Sequence, residues 1–252
     1  MQWTLASDID GTLTGDREAL DRLREKLQVK RDSSELYLIL CTGRRLDQVT
    51  SGIAEEGLPQ ADAVICQVGT EIYLPPLGDD MPPMEAWRAR LLEQYSRSEA
   101  EGFLAGIEGL RMQPDMFNTE LKTSCYVDEC PDPDAAAAEI RRRAAQQGDR
   151  YLVVYSSGRD LDILPAASGK GKAIRFLIEQ RGLDLGRVVV AGDTGNDIAM
   201  FDELGRGVVV ANAQPELRDY AQQSASDDVY QARHEFAAGV EEGLTHFGVL
   251  AG

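Results

Sequence analysis

The sequence predicts an α/β protein with a doubly wound, parallel, Rossmann-like core that is interrupted by a smaller α+β insertion. Three observations lead to this prediction. Apolar and amphipathic segments alternate early in the chain, a different pattern occupies its middle, and the alternation returns near Gly169. Strand–helix–strand repetition is typical of a parallel sheet with helices on both faces. We therefore expect residues 1–78 and 160–252 to form the core and residues 79–159 the insertion.

The first part of the chain repeats the strand–helix–strand pattern. Ala19, Leu20, Leu23 and Leu27 recur at helical spacing and predict the first helix. Continuous apolar runs on either side are typical of strands buried in a parallel sheet. The predicted elements are a strand over 3–8, a helix over 18–30, a strand over 36–42, a helix over 46–56, a strand over 63–68 and a short hairpin strand over 71–74.

A change of composition marks the insertion. The segment 75–83 contains four prolines and indicates a linker. Pro133 and Asp134 then favour the start of a helix. The predicted elements of the insertion are a helix over 85–101, a strand over 110–113, a strand over 124–128, a helix over 134–147 and a strand over 151–157.

The alternating pattern of the core resumes after the insertion. Apolar runs of strand length again separate amphipathic segments of helical length. The predicted elements are a helix over 172–180, a strand over 188–191, a helix over 197–203, a strand over 208–211, a helix over 215–223 and a helix over 234–247.

The chain of 252 residues carries a net charge of −17, from 26 Lys and Arg against 43 Asp and Glu. This acidity argues against nucleic acids and anionic membranes as partners. An anionic substrate would need local positive groups or a metal ion. No apolar run approaches the length of a membrane span, no signal peptide is recognisable, and the four cysteines lack the spacing of a zinc site. We therefore expect a cytoplasmic protein in a reducing compartment.

Two carboxylates follow the first predicted strand. Asp8 and Asp10 lie at its carboxyl end, and ligands bind at the carboxyl ends of strands in parallel α/β sheets. Two ionised carboxylates this close repel each other unless a cation joins them or one takes a proton. A metal or catalytic site fits this segment. An Asp-rich turn at Gly11 fits it as well.

Two further segments could hold a phosphoryl group. Thr42 closes a predicted strand, and its hydroxyl together with the N–H groups of Gly43 and Arg44 would suit a phosphate. A plain helix cap at Thr42 is the alternative. Lys170 stands at the start of a predicted helix and offers a point charge for a phosphoryl group. A nucleotide-binding P-loop is disfavoured because glycine follows Lys170 where that motif requires Ser or Thr.

Oxygen ligands follow another core strand. Asp193, Asn196 and Asp197 lie after the strand over 188–191 and suit Mg²⁺, although an Asx-rich loop could have the same composition. The four segments together supply what Mg²⁺-assisted phosphoryl transfer to a carboxylate requires. Ser-His-Asp chemistry is excluded, because no histidine lies near these strand ends.

The segments DIDGTLT, CTGR, GKGKA and GDTGND, in this order and spacing, resemble the four motifs of the haloacid dehalogenase-like phosphatases. The insertion is similar to the larger α+β cap domain of that superfamily. VGTEIY, ELKTSCYVD and SSGRDLDILPAASGKGKA resemble segments of sucrose-phosphate and mannosylfructose-phosphate phosphatases. The resemblance implies a Mg²⁺-dependent phosphatase that acts on a phosphorylated sugar.

The resemblance also implies a role for each motif residue. Asp8 would be the nucleophile that forms an aspartyl-phosphate, and Asp10 would protonate the leaving sugar oxygen and then activate water. Thr42 and Lys170 would hold the phosphoryl oxygens. The implied ligands of Mg²⁺ and their supports are Asp8, the backbone carbonyl of Asp10, Asp193, Asn196 and Asp197.

Sugar recognition would fall to the cap domain and the loops that face it, because sugar hydroxyls require fixed polar side chains. The expected substrate-binding residues are Thr42, Gly43, Arg44, Glu71, Lys122, Ser124, Ser157, Arg159, Asp160, Lys170 and Asn196. Two positions differ from sucrose-phosphate phosphatases, which tend to carry Phe in place of Leu121 and Lys in place of Arg159. These differences leave the identity of the sugar open.

Sucrose 6-phosphate is the first substrate that the resemblance implies. The alternatives are mannosylfructose phosphate, mannosyl-3-phosphoglycerate and the reaction of a phosphomannomutase-type phosphomutase. A non-catalytic sugar-phosphate-binding module is disfavoured because Asp8 and Asp10 are both present. We expect a monomer, with a sugar-phosphate synthase as a candidate protein partner.

Overall fold

The computed structural model describes residues 2–78, 81–224 and 228–250. In this part of the chain, strands and helices alternate and build a sheet that is parallel except for one antiparallel edge strand, with a smaller antiparallel sheet beside it, which confirms the predicted fold class. Asp79 and Asp80 of the predicted linker lie outside the described residues.

The described strands divide between two sheets. In chain order the strands are β1 (Trp3–Ser7), β2 (Leu36–Cys41), β3 (Ala63–Cys66), β4 (Glu71–Tyr73), β5 (Arg111–Met112), β6 (Thr123–Tyr126), β7 (Tyr151–Ser156), β8 (Asp160–Pro165), β9 (Val188–Gly192), β10 (Gly207–Val209) and β11 (Val229–Gln231). The main sheet has the order β11-β10-β9-β1-β2-β3-β4, and the second sheet has the order β5-β6-β8-β7.

Helices cover the main sheet and flank the second one. In chain order they are α1 (Arg17–Asp32), α2 (Leu46–Ser51), α3 (Glu85–Leu92), α4 (Arg97–Phe103), α5 (Pro133–Ala145), α6 (Lys170–Arg181), α7 (Ile198–Leu204), α8 (Pro215–Gln223) and α9 (Phe236–His246). Helix α2 continues as a π-helical turn over Gly52–Glu56, which ends at Gly57 in the left-handed conformation.

The centre of the main sheet brings three strand ends together. Strand β1 pairs in parallel with β2 on one side and with β9 on the other, with Leu5 opposite both Leu38 and Val189. These strands are apolar and buried, as strands covered by helices on both faces must be. The carboxyl ends of β9, β1 and β2 therefore open side by side at one edge of the sheet.

The second sheet extends further along the chain than the sequence predicted. Residues from 160 onward were expected in the core, but β8 pairs with β6 and β7 over Asp160–Pro165. The alternation of Asp160 and Asp162 with Leu161 and Ile163 matches this position, because only one face of the strand meets the apolar cluster under the sheet. We therefore propose that the inserted domain ends after residue 165.

A single helix over 85–101 was also predicted, but two helices occupy this range. Helix α3 ends at Leu92, and Ser96 begins α4 by accepting a hydrogen bond from the N–H of Glu99. Between them, Tyr95 donates its hydroxyl to the carbonyl of Ile163 in the second sheet. A cap of this kind and a buried tyrosine contact together explain the break.

Cys41, Cys66, Cys125 and Cys130 are free and buried. Across 2–78, 81–224 and 228–250, every helix is too short or too polar to cross a bilayer.

We expect Gly171→Ala to destabilise the protein by about 2–3 kcal/mol or more. A Cβ atom at Gly171 would lie 2.0 Å from the carbonyl oxygen of Ala199, so α6 and α7 would have to separate. Gly102→Ala is the matched control, because Gly102 is an exposed helical glycine and a Cβ atom added there would meet nothing within 4 Å; we expect it to be neutral or to add about 0.5–1 kcal/mol. Urea unfolding of both variants measures the difference, and equal effects would contradict the close approach of α6 to α7.

Candidate active site

A cleft of about 470 Å³ lies over the strand ends at the centre of the main sheet. Asp8 follows β1, Thr42 follows β2 and Asp193 follows β9, so the three segments that the sequence placed at one sheet edge do meet there. The predicted site residues that line this cleft are Asp8, Asp10, Thr42, Gly43, Arg44, Lys122, Ser157, Asp160, Asp193 and Asn196.

Lys170 lies beneath the cleft and binds two carboxylates. Its Nζ donates to Asp8 Oδ1 at 2.7 Å and to Asp197 Oδ1 at 2.6 Å. All three side chains are buried. Although burial alone would lower the pKa of Lys170, Asp197 and Asp8 raise it above its ordinary value, so the ammonium group stays charged.

The pKa of Asp8, the candidate nucleophile, is strongly shifted. Burial raises the pKa of Asp8 well above its ordinary value, Lys170 offsets part of that rise, and the carboxylates of Asp197 and Asp193 add to it. The carboxylate form of Asp8 therefore depends on positive charge placed close to it.

Asp193 is held against the first motif. Thr12 donates its hydroxyl to Asp193 Oδ1 at 3.1 Å. Gly11 allows this approach, because a Cβ atom there would lie 2.3 Å from Asp193 Oδ2, and its backbone has a positive φ of 77°. Burial, together with the charge of Asp197, raises the pKa of Asp193 to about 7. Two distant segments of the chain thus place another poorly solvated carboxylate beside Asp8.

The acidic residues fit a divalent cation. Asp8, Asp193 and Asp197 each offer an oxygen within 4.8 Å of the others. Asp197 already uses Oδ1 for Lys170 and Oδ2 for the N–H groups of Asp193 and Thr194, so its position is that of a support. Hard oxygen donors of this kind suit Mg²⁺, Ca²⁺ or Mn²⁺.

A buried amide oxygen adds a second observation in favour of a cation. Asn196 lines the cleft, and its Oδ1 is buried without a hydrogen-bond partner among the described residues. A buried oxygen without a partner is costly unless a ligand satisfies it. The amide oxygen of Asn196 and the carboxylates of Asp8 and Asp193 can therefore serve as ligands of a metal ion in this cleft.

The Thr42 loop is fixed by a strained neighbour. Val68 lines the cleft with a positive φ of 59°, and Gln67 before it has a φ of 51°. This conformation lets Gln67 N–H donate to the carbonyl of Arg44 and Val68 N–H to that of Thr42, both at 3.1 Å. A β-branched residue rarely adopts such backbone angles unless its surroundings impose them. The loop that would hold the phosphoryl group is consequently held by two backbone hydrogen bonds.

Arg44 lines the cleft as predicted, but its guanidinium group binds two carboxylates of the chain itself. It makes hydrogen bonds to Asp10 on one side and to Glu56 on the other. The side chain of Asp10 is 58 % exposed, whereas that of Arg44 is 15 % exposed. Asp8 and Asp10 thus lie in different surroundings, and each has a cation of its own.

The second sheet supplies the opposite wall of the cleft. Lys122 is buried there, with its Nζ 3.6 Å from Asp162 Oδ1 and 5.9 Å from the centre of the Phe117 ring. Ser124 donates its hydroxyl to the same oxygen of Asp162. Gln113 donates its side-chain N–H to Asp160 Oδ1 at 2.9 Å. This wall therefore combines ionic, amide and aromatic groups, which is the chemistry that binds sugars.

Several cleft residues were missed by the sequence analysis. They are Gly11, Val68, Gln113, Phe117, Tyr126, Ser156, Asp162, Thr194 and Gln214. Asp162 could have been found, because it lies two residues after Asp160 in a strand with alternating polarity, and residues at this spacing share a face. Five others lie inside the motif segments quoted above but had been given no role: Gly11, Val68, Tyr126, Ser156 and Thr194. Gln113, Phe117 and Gln214 lie outside those segments.

Three predicted sugar-binding residues do not line the cleft. Glu71 accepts a hydrogen bond from the hydroxyl of Tyr73. Ser124 supports Asp162 from behind. The Arg159 side chain is half exposed and lies over the ring of Tyr126 at 4.4 Å. In this structure Ser124 and Arg159 therefore support wall residues, and Glu71 lies outside the cleft.

The two histidines lie away from the cleft, on α9 and the segment before it. His234 Nδ1 is 2.7 Å from Glu242 Oε2, and the ring of His246 stacks on that of Tyr230. Neither lines the cleft.

Comparison with known proteins places these motifs in a family. A model of the sucrose-6F-phosphate phosphohydrolases matches residues 1–248. Mannosylfructose-phosphate phosphatase of Agrobacterium fabrum is 36 % identical over 97 % of this chain and 96 % of its own length. A HAD-like (haloacid dehalogenase-like) hydrolase of Nitrosococcus oceani is 31 % identical over 96 % of this chain and 71 % of its own length.

A solved structure matches the whole fold. The sucrose-phosphatase of Synechocystis, determined in complex with sucrose and phosphate, superposes on this chain with a TM-score of 0.89 and is 32 % identical in sequence. The match covers 98 % of each of the two chains. Together with the family model, this match confirms the resemblance that the motifs indicated.

We expect Lys170→Met to destabilise the metal-free protein by about 3–5 kcal/mol, because it leaves Asp8 and Asp197 buried without a cation. Lys172→Met is the matched control, since Lys172 is exposed and its Nζ donates only to the carbonyl of Ala166, so its cost should stay below about 1 kcal/mol. Urea unfolding with a chelator present measures both. Similar losses in the free energy of unfolding for the two variants would contradict the conclusion that Lys170 stabilises the buried carboxylates of Asp8 and Asp197.

The raised pKa of Asp193 predicts a pH dependence in the metal-free protein. Because the folded-state pKa of about 7 exceeds the unfolded value, the folded protein binds a proton that the unfolded chain releases above about pH 4. The associated stability is present at low pH and lost as the pH rises through 7. We expect Asp193→Asn to gain stability relative to the parent protein between pH 5 and 8, by at most about 4 kcal/mol.

Thermal unfolding of both proteins in a chelator across this pH range measures the effect. Divalent cation in excess should remove or reverse the advantage of Asp193→Asn, because the cation stabilises only a chain that binds it. A difference between the two proteins that does not change with pH would contradict the assignment.

Proposed function

The chain belongs to the sucrose-6F-phosphate phosphohydrolase family of haloacid dehalogenase-like phosphatases, and we propose that it hydrolyses a phosphorylated disaccharide that contains fructose, with sucrose 6-phosphate first. The products would be the free sugar and inorganic phosphate. The observation that carries the proposal is the placement of Asp8 at the floor of a cleft, with Lys170 bound to one of its oxygens and Asp193 beside it.

The first half-reaction transfers the phosphoryl group to the protein. A carboxylate oxygen of Asp8 attacks phosphorus, and the bond between phosphorus and the sugar oxygen breaks. Asp10, at the open side of the cleft, gives its proton to that departing oxygen. The result is an aspartyl-phosphate at Asp8 and a free sugar, in the manner of nucleophilic catalysis by carboxylates.

The second half-reaction restores Asp8. Asp10, now a carboxylate, takes a proton from water while the water oxygen bonds to phosphorus. The bond between phosphorus and the Asp8 oxygen breaks, and inorganic phosphate leaves. The same residue serves as acid and then as base, so it must exchange protons during each turnover, which agrees with the greater exposure of Asp10.

Charge balance explains why these residues occur together. Asp8 must approach a phosphoryl dianion as a carboxylate, and Lys170 reduces the repulsion between them. Bound Mg²⁺, held by Asp8, Asp193 and the Asp10 carbonyl with Asn196 and Asp197 as supports, would supply the remaining positive charge.

The Thr42 loop would hold the phosphoryl oxygens. Thr42 and Gly43 line the cleft, and Gly43 leaves the backbone open to a ligand, since a Cβ atom added there would have Val68 Cγ2, at 3.8 Å, as its nearest neighbour. The backbone hydrogen bonds from Gln67 and Val68 keep this loop in place before substrate arrives. Such preorganised donors stabilise a transferring phosphoryl group more than flexible ones do.

The second sheet would recognise the sugar. Lys122, Asp160, Asp162 and Gln113 face the strand ends across the cleft, and their donors and acceptors are fixed by one another. Sites of this type reject sugars that leave their buried polar groups unpaired. This arrangement supports a cleft in which residues at the main sheet carry out phosphoryl transfer and residues of the second sheet select the sugar.

A specific observation favours a second candidate substrate, mannosylfructose phosphate. The phosphatase named for that sugar is 36 % identical to this chain over nearly its full length, compared with 32 % for the Synechocystis sucrose-phosphatase. The two sugars share the fructose unit and differ in the other hexose. The ratio of kcat/KM for sucrose 6-phosphate and mannosylfructose phosphate, measured on the same preparation, decides between them.

We expect phosphate release from one of these sugar phosphates to require Mg²⁺ and to fall by at least about 1000-fold in Asp8→Asn, because the covalent step is lost. Asp10→Asn should lower turnover by about 100-fold or more and leave the affinity for Mg²⁺ nearly unchanged, since only its carbonyl is proposed to touch the ion. Phosphate release and Mg²⁺ titration by calorimetry measure the two effects. Full activity of Asp8→Asn would contradict the proposed mechanism. Equal loss of Mg²⁺ affinity in both variants would contradict the distinct roles of Asp8 and Asp10.

A further inference from the structure

We propose that Glu56 is a positioning residue for Asp10, acting through Arg44, and that the π-helical turn Gly52–Glu56 presents it for this purpose. The proposal rests on the acid and base role given to Asp10 above. It assigns a role in the reaction to a residue outside the four motifs and outside the cleft over the strand ends.

The guanidinium group of Arg44 is divided between two carboxylates. Nε donates to Asp10 Oδ2 at 2.9 Å and Nη2 to Asp10 Oδ1 at 2.7 Å. On the other side, Nη1 donates to Glu56 Oε1 at 2.8 Å and Nη2 to Glu56 Oε2 at 2.9 Å. Paired contacts of this kind fix the plane of a guanidinium group and not merely its distance. Glu56 therefore fixes the orientation in which Arg44 meets Asp10.

The backbone is built to allow this arrangement. A Cβ atom at Gly52 would lie 2.9 Å from Arg44 Nη1 and 2.6 Å from Leu58 Cδ1, so only glycine leaves room for the guanidinium group. At Gly52 the helix changes from α to π winding, and Gly57 ends it in the left-handed conformation. π-helical turns are rare and recur at functional sites. The turn brings Glu56 onto Arg44, whereas its neighbour Glu55 is exposed.

A phosphoryl dianion would otherwise compete for Arg44. Arg44 lines the cleft, and a guanidinium group with no second partner can swing toward an anionic ligand, because its long side chain has many accessible rotamers. Glu56, which does not line the cleft, binds Nη1 and Nη2 of the guanidinium group. The contact keeps Arg44 on Asp10, and so keeps the Asp10 carboxyl group at one place while it delivers its proton.

The proposal predicts a dependence on the leaving group. Glu56 does not line the cleft over the strand ends, so its loss should leave attack by Asp8 on phosphorus intact. Protonation of the leaving oxygen should suffer, which matters for a sugar alkoxide and little for p-nitrophenolate, a much weaker base. Because kcat/KM covers the steps up to release of the leaving group, it isolates the effect from hydrolysis of the aspartyl-phosphate.

The test compares Glu56→Gln with Glu55→Gln, an exposed acidic residue of the same turn. We expect Glu56→Gln to lower kcat/KM by about tenfold for the sugar phosphate that the enzyme hydrolyses best, and by less than about threefold for p-nitrophenyl phosphate. Glu55→Gln should change neither. Glu56→Asp, which keeps the charge but shortens the reach, should give the same selective loss. Thermal unfolding of each variant checks that the fold is retained.

Equal losses on the two substrates, or a selectivity for Glu56→Gln no larger than that for Glu55→Gln, would overturn the proposal. Asp10→Asn separates it from the proposed function. If Asp10→Asn lowers kcat/KM selectively for the sugar phosphate and Glu56→Gln does not, the role of Glu56 alone is wrong. If Asp10→Asn shows no such selectivity, the acid role of Asp10 is wrong and the role of Glu56 falls with it.

Discussion

The contact of Lys170 with Asp8 and Asp197 is the interaction on which the rest of the site depends. Carboxylates at the ends of adjacent strands repel one another, and burial makes that repulsion stronger because little water screens it. A single ammonium group, bound at 2.7 and 2.6 Å, holds two of them in place. It can do so only because α6 starts directly under the strand ends, with Gly69 against the backbone of Gly169 and Gly171 against that of Ala199. The glycines around Lys170 therefore help to place its ammonium group beneath the carboxylates.

In the function proposed above, the two sheets have different tasks because each offers a different kind of surface. The carboxyl ends of parallel strands collect loops from distant parts of the chain, which brings charged groups together around one point. The antiparallel second sheet instead presents alternate residues of neighbouring strands, and so contributes Lys122, Asp160 and Asp162 to a polar wall. A phosphoryl group needs concentrated charge, whereas a sugar needs spaced donors and acceptors. The fold supplies both on opposite sides of one cleft.

The sequence was informative where chemistry and secondary structure coincide along the chain. Asp8, Thr42, Lys170 and Asp193 each end a core strand or begin a helix, so the rule of parallel sheets was enough to bring them together. Gln113 could not be found in this way, because it follows β5 and its place in the cleft depends on the register of an antiparallel sheet, which no local pattern encodes. Phe117 lies in the 3-10 turn Asp115–Phe117 that comes after this strand, and the rule of parallel strands does not reach it either. The contact between Arg44 and Glu56 was equally hidden, since it depends on a change from α to π winding at Gly52. Arg44 was expected to bind substrate through its backbone N–H, and nothing in the sequence indicated that its guanidinium group would bind Asp10 and Glu56.

The mechanism proposed above gives Asp8 and Asp10, two identical side chains two residues apart, different chemistry. Asp8 is buried. Burial raises its pKa and Lys170 lowers it, so groups inside the protein determine whether Asp8 is charged. The side chain of Asp10 is more than half exposed and meets a guanidinium group whose other side is held by Glu56. A nucleophile must be charged and aimed at one atom, and deep burial beside a fixed cation provides this. An acid–base must give a proton to the leaving sugar and take one from the attacking water in each cycle, and an open position held by an arginine suits both steps. The end of β1 at Ser7 explains the difference. Asp8 follows the strand directly and is buried, whereas at Asp10 the chain has already turned toward the surface.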